Sequence, residues 1–361
     1  MLMRGGTSKG AFFVADDLPA DPDQRDALLV RIMGSPDIRQ IDGIGGATPL
    51  TSKVAVIGPS ARADADIDYL FLQVSVDQAL VSDRQNCGNL LAATAPFAIE
   101  RGIIDSTDSN TTTVRVYMAN SDSIATATIE LADGMPEYRG QASIDGVPGT
   151  AAPIRLDFEN IAGGSCGALL PTGNLIDSID GIEVTMIDNG MPVVVIGAAD
   201  LAVTGTESRS ELETNETLRA RLESIRVQAG HLMNLGDVTE TTVPKLTMVS
   251  APTAGGDIST RTFIPHRCHE AIGVFGAVSV ATAALLPGTI AADVVQSGAG
   301  SDGTLTCEHP SGAFTAVIHV DASGGVREVR SSGIIRTARK LMDGTVFATE
   351  YGRDERSGRS R

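Results

Sequence analysis

The sequence predicts an α/β (α+β) protein, rich in strands and made of two similar halves. Its 361 residues exceed what one simple core holds, and ordinary domain sizes favour two. Aromatic residues are scarce, with no Trp and four Tyr against 39 Gly, so packing must rest on small and branched aliphatic side chains and tight turns. A mostly apolar helix also recurs among strands in each half.

In the first half, Arg4-Gly5-Gly6-Thr7-Ser8-Lys9-Gly10 runs into Ala11-Phe12-Phe13-Val14, a tight loop feeding a strand. Asp21 then caps a helix with Pro22 in its first turn and Gly34 past its end. Alternation and β-branched residues predict strands at Lys53–Ile57, Tyr69–Val76, Thr112–Ala119 and Ser123–Leu131. The apolar run from Asn86 to Arg101 is expected as a helix kinked by Pro96 and ended by Gly102.

The second half repeats this order, with strands at Ile182–Ile187, Val193–Ile196, Leu246–Val249 and Ile258–Ile264 and an apolar helix over Gly276–Leu286. Between them one charged surface helix is expected from Ser208 to Ala229, opened by a capping box of Ser208 and Glu211. The expected division is residues 1–178, completed by 333–348, then 179–332, with a flexible tail at 349–361. The abrupt start at Met1-Leu2-Met3 leaves the first strand short and points to a start upstream.

A net charge of −17 argues against wrapping nucleic acid, whose binding is driven by Lys and Arg releasing counterions. The uncharged stretch from Ala271 to Ala292 is broken at Pro287-Gly288 and is too short to cross ~30 Å of hydrocarbon, so no membrane span is expected. Four scattered cysteines, Cys87, Cys166, Cys268 and Cys307, without a CxxC pair or secretory signal, fit reduced thiols in the cytoplasm. Unpaired edges of so strand-rich a fold would favour a homodimer.

Four of the 28 basic residues are Lys (Lys9, Lys53, Lys245, Lys340). Arg stays protonated, whereas a buried Lys can exchange its proton. Lys53, after Thr51-Ser52 and leading into a strand, is the preferred candidate, set against a solvent-facing strand edge. Cys87, between Asn86 and Gly88 at a helix start, would have its thiolate favoured by unpaired N–H groups, which also form a cradle for a carboxylate. The competing reading is a buried structural cysteine.

Both Gly-rich segments fail nucleotide-binding patterns. Arg4–Gly10 lacks the Gly-Lys-Ser/Thr order, and Gly43-Ile44-Gly45-Gly46-Ala47-Thr48 has Thr where the third Gly belongs. Arg4, Thr7 and Ser8 could still bind a carboxylate. His266-Arg267-Cys268-His269 has no second ligand cluster, so with Arg261 it reads better as a positive patch for a second carboxylate than as a metal site.

Together, Arg4–Gly10, Thr51-Ser52-Lys53, Asn86-Cys87-Gly88-Asn89, Pro171-Thr172-Gly173-Asn174, Asp188-Asn189-Gly190-Met191-Pro192 and Arg261-Thr262-Phe263-Ile264-Pro265-His266 resemble the PrpF-type isomerases, from Met1 to about Val346. The resemblance implies a diaminopimelate-epimerase-like fold, two pseudo-symmetric domains each with a curled sheet around a central helix, and a site in the cleft. It implies catalysis by Lys53 and Cys87 and a small anionic polycarboxylate bound by Arg4, Thr7, Ser8, Ser52, Asn86, Gly88, Asn89, Arg261, His266, Gly276 and Ala277, with no metal and no cofactor. The epimerases with this fold use two cysteines. Here the second helix, expected to begin at Gly276-Ala277, has none, leaving Cys268 as a remote candidate.

The expected reaction is keto–enol tautomerisation of 4-oxalomesaconate in gallate and protocatechuate breakdown. The alternatives are a 1,3-allylic isomerase of methylaconitate, aconitate or oxalomesaconate, and a non-catalytic polycarboxylate-binding protein.

Overall fold

A computed structural model of the chain describes residues 1–83, 87–105, 109–158, 161–264, 267–300, 303–321 and 328–348. These fall into two compact units. The first takes in Met1–Ala142, Gly149–Ile154 and the described part of Arg336–Arg361, and the second Ser143–Pro148 and Arg155–Ile335.

In the first unit β1 (Leu2–Gly5) and β2 (Ser8–Val14) form a hairpin, and α1 (Pro22–Met33) leads to β3 (Lys53–Pro59), parallel to β2 with Gly10 beside Lys53. Next come β4 (Ile67–Val74), antiparallel to β3, β5 (Val81–Ser82) and two short helices, α2 (Gly88–Leu91) and α3 (Thr94–Glu100). The unit continues through β6 (Thr111–Met118), parallel to β4, its hairpin partner β7 (Ser123–Ala132), and β8 (Met135–Pro136). The distant strand Ala338–Met342 pairs antiparallel with β1.

Local chemistry sets α1 as the sequence predicts. Asp21 accepts a hydrogen bond from Gln24 N at 2.9 Å, Pro22 opens the helix and Gly34 closes it at φ 79°. Leu29, Ile32 and Met33 then pack on Val54, Val56, Leu72 and Val74, one face of the β3–β4 pair. The other face belongs to the central helical segment, where the Phe12 and Phe97 rings lie 5.6 Å apart.

That segment is broken. The helix expected over Asn86 to Arg101 parts at Ala92-Ala93, one turn before Pro96. A proline ring crowds the carbonyl four residues earlier and offers it no N–H, so the break falls at residue 92 and not at the proline itself. Gly102 ends the segment at φ 66°.

The second unit takes up the chain within β9 (Ile154–Phe158) and continues through β10 (Asp177–Ile179), β11 (Ile182–Asp188), β12 (Pro192–Gly197), α4 (Arg209–Thr214) and α5 (Glu216–Leu232). It goes on with β13 (Lys245–Ser250), β14 (Ile258–Ile264), β15 (Arg267–Cys268), α6 (Val274–Leu285), α7 (Ile290–Val294), β16 (Thr304–His309), β17 (Gly312–Asp321) and β18 (Glu328–Arg336). β12 runs parallel to β13 and β14 to β16, while β11–β12, β13–β14 and β16–β17 are antiparallel. This is the order of the first unit over again, so the repeat legible as element order is a repeat of topology. The α/β architecture is the diaminopimelate-epimerase-like one, with α6 buried on all sides from Gly276 to Ala284.

Two expectations need correction here. The single helix over Ser208–Ala229 is two helices, because Asn215 ends α4 and its side chain caps α5 by accepting from Leu218 N at 3.0 Å. Nor is it only a surface element. Leu218, Leu222, Ile225 and Ala229 join a core with Leu246, Met248 and Phe263, and Arg226 is fully buried. The second apolar helix begins at Val274, since Gly273 is extended (φ −66°, ψ 146°) and acts as its N-cap. Among the described residues no helix is long and apolar enough to cross a membrane.

Candidate active site

The hairpin β1–β2 turns at Gly6-Thr7 and sets its tip on the first turn of α2, and the absence of side chains at three glycines permits this. A Cβ on Gly5 would lie 2.5 Å from Asn89 O, and one on Gly10 would lie 2.7 Å from Lys53 O and 2.8 Å from Leu90 Cδ2. Gly6, at φ 52°, sits against the Asn89 side chain, whose Nδ2 donates to Thr7 Oγ1 at 3.1 Å. The start of β3, the hairpin tip and the helix start therefore meet in one place.

Cys87 is the N-cap of α2. Leu90 N donates to its Sγ at 3.5 Å, and Leu91 N closes the first helical bond to its carbonyl at 3.0 Å. The N–H groups of Gly88 and Asn89 precede that bond and have no intrahelical acceptor. With only four residues in α2, these local donors matter more than any helix dipole, which corrects the expectation of a long helix behind the thiol.

Lys53 stands directly opposite Gln73 on β4, and Ala55 and Ile57 stand opposite Phe71 and Tyr69. Strand alternation puts all six on the face turned toward the central helices, away from α1. The Lys53 ammonium donates to Gln73 Oε1 at 2.7 Å and lies 4.9 Å from the centre of the Phe71 ring. Tyr69, fully buried on the same face, donates its hydroxyl to Cys87 O at 3.2 Å. Lys53 and Cys87 thus belong to one side of the sheet. At 8% and 9% exposure they are shielded from bulk water without being sealed.

Ser8 Oγ and Asn89 Oδ1 are buried with no hydrogen-bond partner among the described residues. Buried polar atoms are seldom left so, and Asn89 belongs to the helical turn that Cys87 caps. Asn89 and Thr7, joined by their hydrogen bond, set polar atoms at the hairpin tip beside the first turn of α2.

Other expected site residues are placed differently. Arg4 Nη1 donates to Gly6 O, Thr337 O and Thr337 Oγ1 at 2.9 to 3.0 Å, tying the hairpin to the C-terminal segment. The Ser52 hydroxyl is used internally, donating to Val74 O and accepting from Gln40 Nε2. Arg261 lies on the face of β14 that carries Phe263, opposite the α6 side, and donates to Glu207 O at 3.0 Å. Gly276 and Ala277 are buried in the first turn of α6, where Ala277 N already bonds Gly273 O. Asn86 and His266 lie outside the described residues.

Cys268 does not supply a second thiol. It packs in the core beneath α5, and burial, eased by Arg261, pushes its thiol up to about 11. Burial and then Asp188 push Cys166 up to about 12, and burial and then Asp257 do the same for Cys307. Among the described residues no three His, Cys, Asp or Glu side chains are grouped to hold a metal ion. Sequence reasoning missed Tyr69, Phe71 and Gln73. Their alternation along β4 was visible, but the register that sets Gln73 opposite Lys53 was not.

The PrpF protein family model matches residues 1–349. The chain is 56% identical over 347 residues, covering 96% of each, to the (4E)-oxalomesaconate Delta-isomerase of Novosphingobium sp. (strain KA1). It is 54% identical over 358 residues, covering 99% of this chain and 97% of its relative, to the 4-oxalomesaconate tautomerase of Pseudomonas putida. The crystal structure of a methylitaconate-delta-isomerase superposes with a TM-score of 0.88 at 36% identity, over 96% of this chain and 94% of that one. With a match running through both units and the whole of the hairpin, lysine and thiol arrangement, the chain belongs to the PrpF family.

Proposed function

We propose that this protein is an isomerase that moves a carbon-bound proton on an unsaturated polycarboxylate, and that its substrate is 4-oxalomesaconate, converted between keto and enol forms. The observation that carries this reading is the placement of Lys53 and Cys87 on one face of the first unit's sheet, beside amide donors that no helical bond uses. In this scheme a carboxylate rests on the N–H groups of Gly88 and Asn89 with the Ser8 and Thr7 hydroxyls near it. One of the two groups takes a proton from a carbon made acidic by the conjugated carbonyl and carboxylate. The other returns a proton along the resulting dienolate. Every step is a proton transfer, so the side chains suffice and no cofactor is needed. Each positioned acid or base contributes about 10²–10⁴-fold, and donors aimed at the dienolate oxygen add to it.

The family relatives named Delta-isomerases favour a second reading, a 1,3-allylic double-bond shift on the same or a related acid. Four free thiols support a reducing compartment, the cytoplasm, and the substrate would place the reaction in gallate breakdown. The test is incubation in D2O with 4-oxalomesaconate, methylaconitate and aconitate, followed by NMR. Interconversion of keto and enol forms, with deuterium entering the carbon beside the carbonyl as the enol returns to the keto form, supports tautomerisation, and deuterium with a displaced double bond supports the allylic shift. No incorporation with any acid overturns both and leaves a polycarboxylate-binding protein.

A further inference from the structure

Three alternate residues of β4 face the central helices in a single file: Tyr69, Phe71 and Gln73. Each touches one of the two proposed proton-transfer groups. Gln73 is fixed on its other side. Its Nε2 donates to Ser52 O at 2.8 Å, Pro49 O at 3.1 Å and Val74 O at 3.4 Å. Turning the amide over would set its oxygen against those carbonyls and its NH₂ against an ammonium, so Oε1 must point at Lys53. The Phe71 ring limits the lysine from beside it at 4.9 Å. Because Gln73 is neutral, it holds the amine in place without the ion pair that a carboxylate would form, and an ion pair would oppose release of the proton.

At the other end of the file, Tyr69 is fully buried and its hydroxyl finds the Cys87 carbonyl. Burial, and then the nearby Cys87, push its ionisation well above the usual tyrosine range, so it stays a hydrogen-bond donor and is no acid or base near neutral pH. That bond fixes the N-cap conformation of Cys87 (φ −128°, ψ 91°) in which Leu90 N reaches the sulfur.

We infer that Tyr69, Phe71 and Gln73 are positioning residues, with Gln73 and Phe71 aiming Lys53 and Tyr69 aiming Cys87, so that one strand sets the register between the two groups. The inference rests on the roles given to Lys53 and Cys87 under the proposed function.

The experiment uses the full chain with Tyr69→Phe, which keeps the buried ring, and Gln73→Met, which keeps the volume. Two readouts are taken: kcat and KM with 4-oxalomesaconate, and the rate of Cys87 alkylation by iodoacetamide at pH 8, followed by peptide mass mapping. The other three thiols, pushed up to about 11 or 12, should react little. We expect each variant to lose about tenfold in kcat with KM within about twofold, a size in keeping with loss of orientation at a reacting group. Tyr69→Phe should change the alkylation rate at least threefold, and Gln73→Met should leave it within about 1.5-fold, estimates that follow from thiol reactivity depending on its immediate donors. Wild-type kcat in both variants, or equal alkylation changes in both, overturns the inference. If the wild type turns over none of the acids but alkylation still separates the two variants, the proposed reaction fails while the positioning of Cys87 by Tyr69 stands.

Discussion

Lys53 and Gln73 face each other across the first rung of β3 and β4, with the ammonium donating to the amide oxygen at 2.7 Å. That pairing turns a lysine that could have faced solvent at a strand edge into a nearly buried group on the helix side of the sheet. Arginine would keep the charge and much of the length but would not give up its proton. Lys53→Arg should therefore lower turnover of 4-oxalomesaconate by about 10²–10⁴-fold while melting within a few degrees of wild type. Activity within tenfold of wild type would show that proton exchange at this position is not used.

Gly5 tests whether the hairpin tip sets the helix start. A Cβ there would fall 2.5 Å from Asn89 O and 3.1 Å from Leu90 Cα, both backbone atoms that no side-chain rotation can move aside. Gly5→Ala should cost about 1–3 kcal/mol in stability, measured by urea unfolding. It should also reduce kcat more than the lost stability explains, because the turn that must shift begins at Cys87. A variant as stable and as active as wild type would mean that the contact is loose.

Much of this was legible in the sequence because the signals were local. Asp21, Pro22 and Gly34 delimit α1 by capping chemistry, and Lys53 and Cys87 stand out by composition and by their Gly, Ser and Asn neighbours. What was not legible depends mostly on contacts distant in sequence. Nothing near Arg4 announces that it bonds Thr337, and nothing near Arg261 announces that strand register turns it away from α6. The charged face of α5 concealed Arg226, whose burial follows from the carbonyls of the loop beyond the helix. Pro96 was seen as a helix breaker, but its effect is exerted one turn earlier, at Ala92.

Arg226 makes a structural prediction. Its guanidinium, fully buried, binds Glu223 with two bonds of 2.7 Å and donates to Val238 O at 2.8 Å and to Thr241 O and Val243 O at 3.3 Å. Arg226→Met would remove five hydrogen bonds from the core, although Thr241 still donates to Val238 O and Val243 O and Glu223 is partly open to water, so the cost should be about 1–3 kcal/mol. Chemical denaturation of the variant measures this, and a loss below about 1 kcal/mol would show that water replaces the guanidinium.

Lys245 opens β13 as Lys53 opens β3, and its burial makes stability depend on pH. Burial, and then Arg226, lower its ionisation from 10.5 to about 8. Between pH about 8 and 10.5 the unfolded chain therefore binds a proton that the folded one has released, and stability contributed by this group rises with pH across that window. Below it, the folded state carries a poorly solvated ammonium as a penalty. The group remains partly open to solvent, so screening reduces this penalty to about 1 kcal/mol. Lys245→Met should accordingly be more stable than wild type by about that amount at pH 7, with the advantage fading as pH approaches 10.5. Urea unfolding at pH 7 and pH 10 measures both values. A variant that is less stable at pH 7, or whose difference from wild type does not change with pH, would show that the ammonium is satisfied in the folded protein.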